Sequence, residues 1–240
     1  MPVDDKLQTE TLVYSSSRMF ERRQRIMDVT LELVAEHGHD GFNMRELCRR
    51  AEVAPQTVYK AFESKERLVA LSIRQNFQRH SEKQSYHFDA ETIEGVIERL
   101  AVSDKNIRSV SEFTFALVAI FFSQTAEPEL PKAASYHTEA TLQPWVYALR
   151  QRGSIRKGMA PEKLSSALVY LLFSTAQAWA RGEIDGSEFL IRKLQHLLTY
   201  ASGATRGVGQ KEINRYLTDV LGSRELFNQV LEEAGIKGLF

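Results

Sequence analysis

Residues 43–68 read NMRELCRRAEVAPQTVYKAFESKERL, and their spacing predicts two short helices joined by a tight turn, followed at once by a longer helix. Asn43 is placed to cap the first helix, with Glu46 three residues on in the Asn-x-x-Glu form of a capping box. Met44, Leu47 and Cys48 share one side of that helix. The segment 51–54 breaks the period. Pro55, suited to a first helical position, restarts it with Val58 and Phe62 pointing inward. Ser64 then caps the third helix and puts Lys65 in its first turn, where unpaired backbone N–H groups add to the attraction for a phosphate.

The apolar residues Met44, Leu47, Val53, Val58 and Phe62 bury this pair of helices and leave Gln56, Thr57, Tyr59 and Lys60 on the other face. All four suit contact with DNA. A glutamine pairs with adenine through two hydrogen bonds, a threonine meets a thymine methyl or a phosphate, and tyrosine and lysine bind backbone oxygens. A merely structural helix pair has no need of such an outer face.

These residues resemble the TetR-type transcriptional regulators. In HGHDGFNMRELCRRAEV, QTVYKAF and ESKERL, the residues Thr57, Tyr59, Phe62 and Lys65 fall on that family's Thr-Leu-Tyr and Phe-x-x-Lys positions. Three positions depart from the pattern. Asn43 replaces a capping Thr, Cys48 a small Ala, and Glu52 the turn glycine, at a cost of about 1 kcal/mol if that residue is left-handed. The resemblance implies an all-α protein: an N-terminal three-helix DNA-binding domain, followed by a helical ligand-binding and dimerisation domain. It implies DNA contacts from Asn43, Gln56, Thr57, Tyr59, Lys60 and Lys65, a palindromic double-stranded operator, a homodimer, and release by a small-molecule effector.

Composition sets the bounds. The chain has 240 residues, 43% of them apolar, long enough for one large or two modest cores. Lys plus Arg equals Asp plus Glu at 31 each, which argues against a non-specific coat on DNA and leaves room for a local reader. Within the motif, Arg45, Arg49, Arg50, Lys60, Lys65 and Arg67 face Glu46, Glu52, Glu63 and Glu66, a net charge of +2. A single cysteine excludes an internal disulfide and a cysteine-rich zinc site; on the inward side of its helix, Cys48 reads as a small buried hydrophobe. His37 and His39 flank Gly38 and read as the end of a helix with its glycine cap, with no metal. No cofactor is expected. Neither a leader peptide nor a membrane span is predicted, so the expected location is the cytoplasm. No catalytic motif occurs, so the chain is not expected to be an enzyme.

The order of the chain divides it into an arm over 1–17, the DNA-binding domain over 18–66, the helical ligand and dimerisation domain over 67–204, and an extra helical tail over 205–240. Arg18, Arg22, Arg23 and Arg25 begin a helix whose stripe is Ile26, Val29, Leu33 and Val34. Asp89 is expected to cap a helix carrying Ile93, Val96, Ile97 and Leu100, and another runs from about Lys105 through FTFALVAIFFSQT with no polar face. A helix with Tyr136, Trp145 and Tyr147 is bent or restarted at Pro144. An apolar pocket for an apolar or aromatic effector is expected among Phe113, Leu117, Phe121, Phe122, Tyr136, Trp145 and Phe173.

GSIRKGMAPEKL resembles the Gly-x-Leu-Arg loop that precedes the last two helices of many TetR-type regulators. Those two helices, the second capped by Ser187, are apolar on more than one side. The resemblance implies that Leu168, Leu172, Leu194 and Leu198 pair with the same helices of a second subunit in a four-helix bundle. SGATRGVG separates two short amphipathic helices that end at Gly222 and Gly235. A TetR-fold protein acting through a protein partner without ligand control, and a helical binding module without a DNA function, are the alternative readings.

Overall fold

The computed structural model describes residues 5–238, which form eleven helices and, among the described residues, no strand. In chain order they are α1 (Asp5–Gly41), α2 (Met44–Arg50), α3 (Pro55–Phe62), α4 (Lys65–Glu82), α5 (Ile93–Ser109), α6 (Ser111–Phe122), α7 (Glu129–Gln151), α8 (Pro161–Ala180), α9 (Phe189–Ala204), α10 (Gly207–Leu221) and α11 (Glu225–Glu233). An isolated antiparallel bridge, Ile155 to Thr205, ties the α7–α8 loop to the end of α9. No helix of the described residues is long and apolar enough to cross a membrane.

Two cores organise the chain. Ile26, Leu33 and Val34 of α1, Leu47 of α2, Val58 and Phe62 of α3 and Leu68 and Ile73 of α4 close the first, together with Leu117 and Ile120 of α6 and Leu130 and Ala133 of α7. The second is built by α5, the C-terminal half of α7, α8, α9, α10 and α11, with Trp145 fully buried in it. Helix α6 lies between them. Val118 enters one core, Leu117 and Ile120 the other, and Phe121 packs on both, while the stripe of Glu112, Phe115, Ala119 and Phe122 stays exposed or half-buried.

Several local expectations change. Residues 1–4 of the segment read as an arm lie outside the described residues, and the rest of it continues into α1, since between Asp5 and Gly38 the sequence has no proline or glycine to stop a helix. At Gly38 the backbone turns left-handed (φ 69), a conformation glycine adopts without cost, and α1 is kinked there. Thr92, not Asp89, caps α5: its hydroxyl accepts from the Gly95 N–H at 3.0 Å while Asp89 accepts from the N–H of Glu91. The apolar run starts at Ser111, not near Lys105, because Val110 leaves the helical region (φ −134, ψ 48) and separates α5 from α6. Helix α7 continues through Pro144. Ser187 does not cap α9; its N–H and hydroxyl both donate to Asp185, and Glu188 holds the cap position.

The C-terminal segment belongs to the second core. Only Thr205 and Arg206 separate α9 from α10. Ile213, Tyr216, Val220, Phe227, Val230 and Leu231 are all buried in it. Asp219 accepts from the N–H groups of Leu226 and Phe227 at 3.1 and 3.0 Å and so fastens the start of α11. Gly209 fits where a Cβ would stand 2.7 Å from that of Ser154, so α10 approaches the α7–α8 loop as closely as only glycine allows.

Candidate DNA-reading face and effector cavity

Asn43 caps α2 through its Oδ1, which accepts from the N–H of Arg45 at 2.8 Å. The reciprocal half of the capping box is not formed. The Glu46 carboxylate accepts from Arg49 at 2.6 and 2.9 Å and from Arg50 at 2.8 Å, hydrogen bonds that hold its pKa down to about 2. Arg50 also forks onto Glu36 at 2.7 and 2.8 Å, locking α2 to α1. Arg67 pairs with Glu63 at 3.0 Å. Half of the motif's basic residues are therefore engaged by carboxylates. Arg45 and Lys60 are exposed and form no ion pair among the described residues.

The arginines in the middle of α1 have a structural task that the sequence does not announce. The Arg25 guanidinium donates to the Ala51 carbonyl at 2.9 Å, at the end of α2. Arg23 donates to the Ala61 carbonyl at 3.0 Å and lies 4.3 Å above the Phe62 ring, at the end of α3. Both bonds satisfy carbonyls that a helix end leaves unpaired. Cys48 is buried, and burial pushes its thiol pKa up, which makes it a packing residue rather than a nucleophile.

On α3 the side chains divide as their period requires. Val58 and Phe62 are buried, Gln56, Tyr59 and Lys60 are exposed, and Thr57 is half-buried. Ser64 caps α4 by accepting from the Arg67 N–H at 3.0 Å, and the Lys65 ammonium lies 5.5 Å from the Phe42 ring at the first position of α4. The turns on either side of α3 are both left-handed, at Glu52 (φ 54) and Glu63 (φ 69). At Glu63 the ψ of −52 and a 2.8 Å bond from the Ser64 N–H to the Phe62 carbonyl make a γ-turn of the rare, strained form. Gln56, Tyr59 and Lys60 are thus exposed on one short helix, with Asn43 and Lys65 at the starts of the helices before and after it.

The second site is a cavity of about 160 Å³ between α4 and the helices α5 to α9. Helix α4 gives it Asn76, Phe77 and His80; α6 gives Phe113, Leu117 and Val118; α8 gives Leu172 and Phe173; α9 gives Phe189 and Lys193. Of the residues named for a pocket, Phe113, Leu117 and Phe173 line this cavity and four do not. Phe121 stacks behind Phe173 at 4.0 Å, and Phe122 meets the edge of Phe121. Tyr136 faces outward beneath the Arg74 guanidinium, and Trp145 fills the second core. The polar lining, with Lys193 paired to Asp104 at 3.1 Å, was not read from the sequence. An isolated lysine on the apolar stripe of α9 was the available signal.

Leu168, Leu172, Leu194 and Leu198, named for a subunit interface, are each buried within the single chain. Leu168 and Leu172 of α8 pack inward because α8 lies against α6, α7 and α9, and Leu194 and Leu198 of α9 because α9 lies against α5, α8 and α10. The outer side of α8 and α9 presents Tyr170, Ser174, Thr199 and Tyr200, and the two helices are joined by a 2.7 Å bond between Thr175 and His196.

Residues 26–71 match the family model described as bacterial regulatory proteins, tetR family. Among curated proteins, the chain is similar to the HTH-type transcriptional repressor KstR of Rhodococcus jostii, 40% identical over 65 residues, 27% of this chain. The match spans 31% of that relative's length. Among solved structures, the TetR regulator tylp of Streptomyces fradiae shares the fold with a TM-score of 0.60 at 15% identity, covering 93% of this chain and 94% of that one. FadR of Bacillus subtilis, solved in complex with stearoyl-CoA, aligns with a TM-score of 0.53 at 15% identity over 75% of this chain and 97% of its own. Residues 26–71 thus carry the helix-turn-helix segment of the tetR family of bacterial regulatory proteins, and the helical fold around it is shared with a solved TetR regulator.

Proposed function

We propose that the protein is a homodimeric, sequence-specific DNA-binding repressor of transcription, released from its operator by a small, largely apolar effector. One observation carries this reading. Helix α4 begins with Lys65 beside the exposed face of α3 and ends with Asn76, Phe77, His80 and Ser81 in the cavity wall. Its 18 residues make a rod of roughly 27 Å between the two sites. A molecule that fills the cavity displaces one end of the rod and moves the recognition helix at the other.

On DNA, α3 enters the major groove. Tyr59 and Lys65 hold phosphates, Asn43 and Lys60 add to them, Arg45 beside Asn43 joins that set, and Gln56 and Thr57 read bases. Two copies meet through the outer side of α8 and α9, with Tyr170 and Tyr200 in the contact, and set their recognition helices about one helical turn apart, roughly 34 to 36 Å. Effector and operator then weaken each other's binding by the same factor. The similarity to FadR, solved with an acyl-CoA, supports a ligand with an apolar body.

The test is selection of bound fragments from sheared genomic DNA at about 0.15 M salt, beside a Tyr59→Ala, Lys65→Ala double variant. The proposal expects a palindromic site recovered by the wild type and lost by the variant. Equal, unenriched recovery by both would refute it.

A further inference from the structure

The cavity's wall is more selective than its apolar character suggests. Lys193 is 4% exposed, on a face of α9 otherwise made of Leu190, Ile191, Leu194 and Leu197. Its ammonium lies 3.1 Å from the Asp104 carboxylate and 4.3 Å above the Phe189 ring. Asp104, wholly buried on α5, stands behind Lys193 and is not part of the wall. Taking such a pair out of water is expensive, and two apolar residues of like volume would stabilise the core as well or better. Its position gives it a use, because only the cationic member faces the space.

The remaining titratable lining agrees. His80, His137 and Tyr86 join Lys193 in the wall, and among the described residues no carboxylate does. An ammonium ligand would meet Lys193 and two imidazoles with no anion to pair with. A carboxylate would meet a charged donor, and hydrogen bonds to charged groups are the stronger kind. Leu117, Val118, Leu172 and Phe173 receive whatever apolar body the acid carries.

We propose that the effector is an amphipathic carboxylic acid whose carboxylate is held by Lys193 and whose hydrocarbon body fills the space between α6 and α8. This rests on the reading of the cavity as the effector site. Binding is non-covalent, and Asp104 keeps the ammonium positioned while the cavity is empty.

Calorimetric titration of the full-length chain at pH 7.5 with octanoic acid, octan-1-ol and octylamine tests it. Octanoate is expected to bind more tightly than octylamine by about tenfold or more. Because Lys193→Met alone would take the ammonium away from a buried carboxylate, the comparison is an Asp104→Asn, Lys193→Met double variant, with its fold checked by thermal melting. There the acid-over-amine preference is expected to collapse to within about threefold. Octanol binding with no preference for octanoate, or a preference that survives in the double variant, overturns the assignment to an acid while leaving the cavity a ligand site. Failure of all three probes to bind overturns the reading of the cavity itself.

Discussion

Phe77 of α4 and His137 of α7 lie face to face, their ring centroids 4.9 Å apart and their planes 4° from parallel. The pair sits in the cavity wall and joins the helix that leaves the DNA-binding domain to one that enters the second core. Burial, and secondarily the neighbouring His80, lowers the His137 pKa. An imidazole lowered by folding is protonated first in the unfolded chain. Its contribution to stability is therefore whole above the ordinary histidine value of about 6.5 and is lost as the pH falls through the lowered folded value. The melting temperature is expected to fall with acid over this window, and less steeply in a His137→Phe variant, which keeps the stack. His196, also lowered mainly by burial, accounts for a residual slope. Equal slopes would remove His137 from the account.

Glu52 and Glu63 hold left-handed backbone on either side of α3, where an L side chain is strained. Glu52→Gly and Glu63→Gly are each expected to raise stability by about 1 kcal/mol, read as a higher urea midpoint at an unchanged slope. The Glu63 to Arg67 pair is exposed, so its loss does not offset the gain. Glu52→Gly also removes an anion beside the DNA-reading face, and tighter binding to all duplexes should accompany it. A lower midpoint in both variants would show that the turns are not strained.

Phe227 of α11 is fully buried among residues of the second core, whereas Val208 at the start of α10 is 78% exposed. Phe227→Ala should cost about 3–5 kcal/mol in a single cooperative unfolding transition, and Val208→Ser less than about 0.5 kcal/mol. A separate, earlier transition in the Phe227 variant would mean that the tail folds independently.

Sedimentation separates the inner and outer sides of α8. Tyr170→Glu, on the outer side, is expected to give a folded chain of half the wild-type mass; Leu168→Glu, on the inner side, should unfold it. Wild-type mass in the Tyr170 variant would move the subunit contact elsewhere.

How much of this was legible before the structure differs by residue. The segment 43–68 was readable because its determinants are local: Asn43 and Ser64 as caps, Pro55 as a start, Val58 and Phe62 one turn apart, and Glu52 at a turn that needs positive φ. Arg23 and Arg25 were read only as a basic helix start because the carbonyls they hold are 38 and 26 residues away. Helical period showed that Trp145, Phe121 and Phe173 face inward but not which of them borders a void. The leucines of α8 and α9 needed a second apolar partner, as their pattern requires, and the same chain supplies it, from α6 and α7 for α8 and from α5 and α10 for α9. That is a question of tertiary packing, which a two-sided apolar helix leaves open.

The central claim, that α3 and the start of α4 read DNA, is tested most directly by affinity for the duplex recovered by selection and for a shuffled duplex of equal length. Both are measured at about 0.05 and 0.2 M salt. The wild type should prefer the selected site by a factor of about 1,000 or more. Tyr59→Ala, Lys65→Ala should weaken binding to both duplexes and flatten the salt dependence. Gln56→Ala should cost about 1–3 kcal/mol on the selected site alone. Equal wild-type affinity for the two duplexes, or unchanged affinity in the Tyr59 and Lys65 variant, would contradict the account.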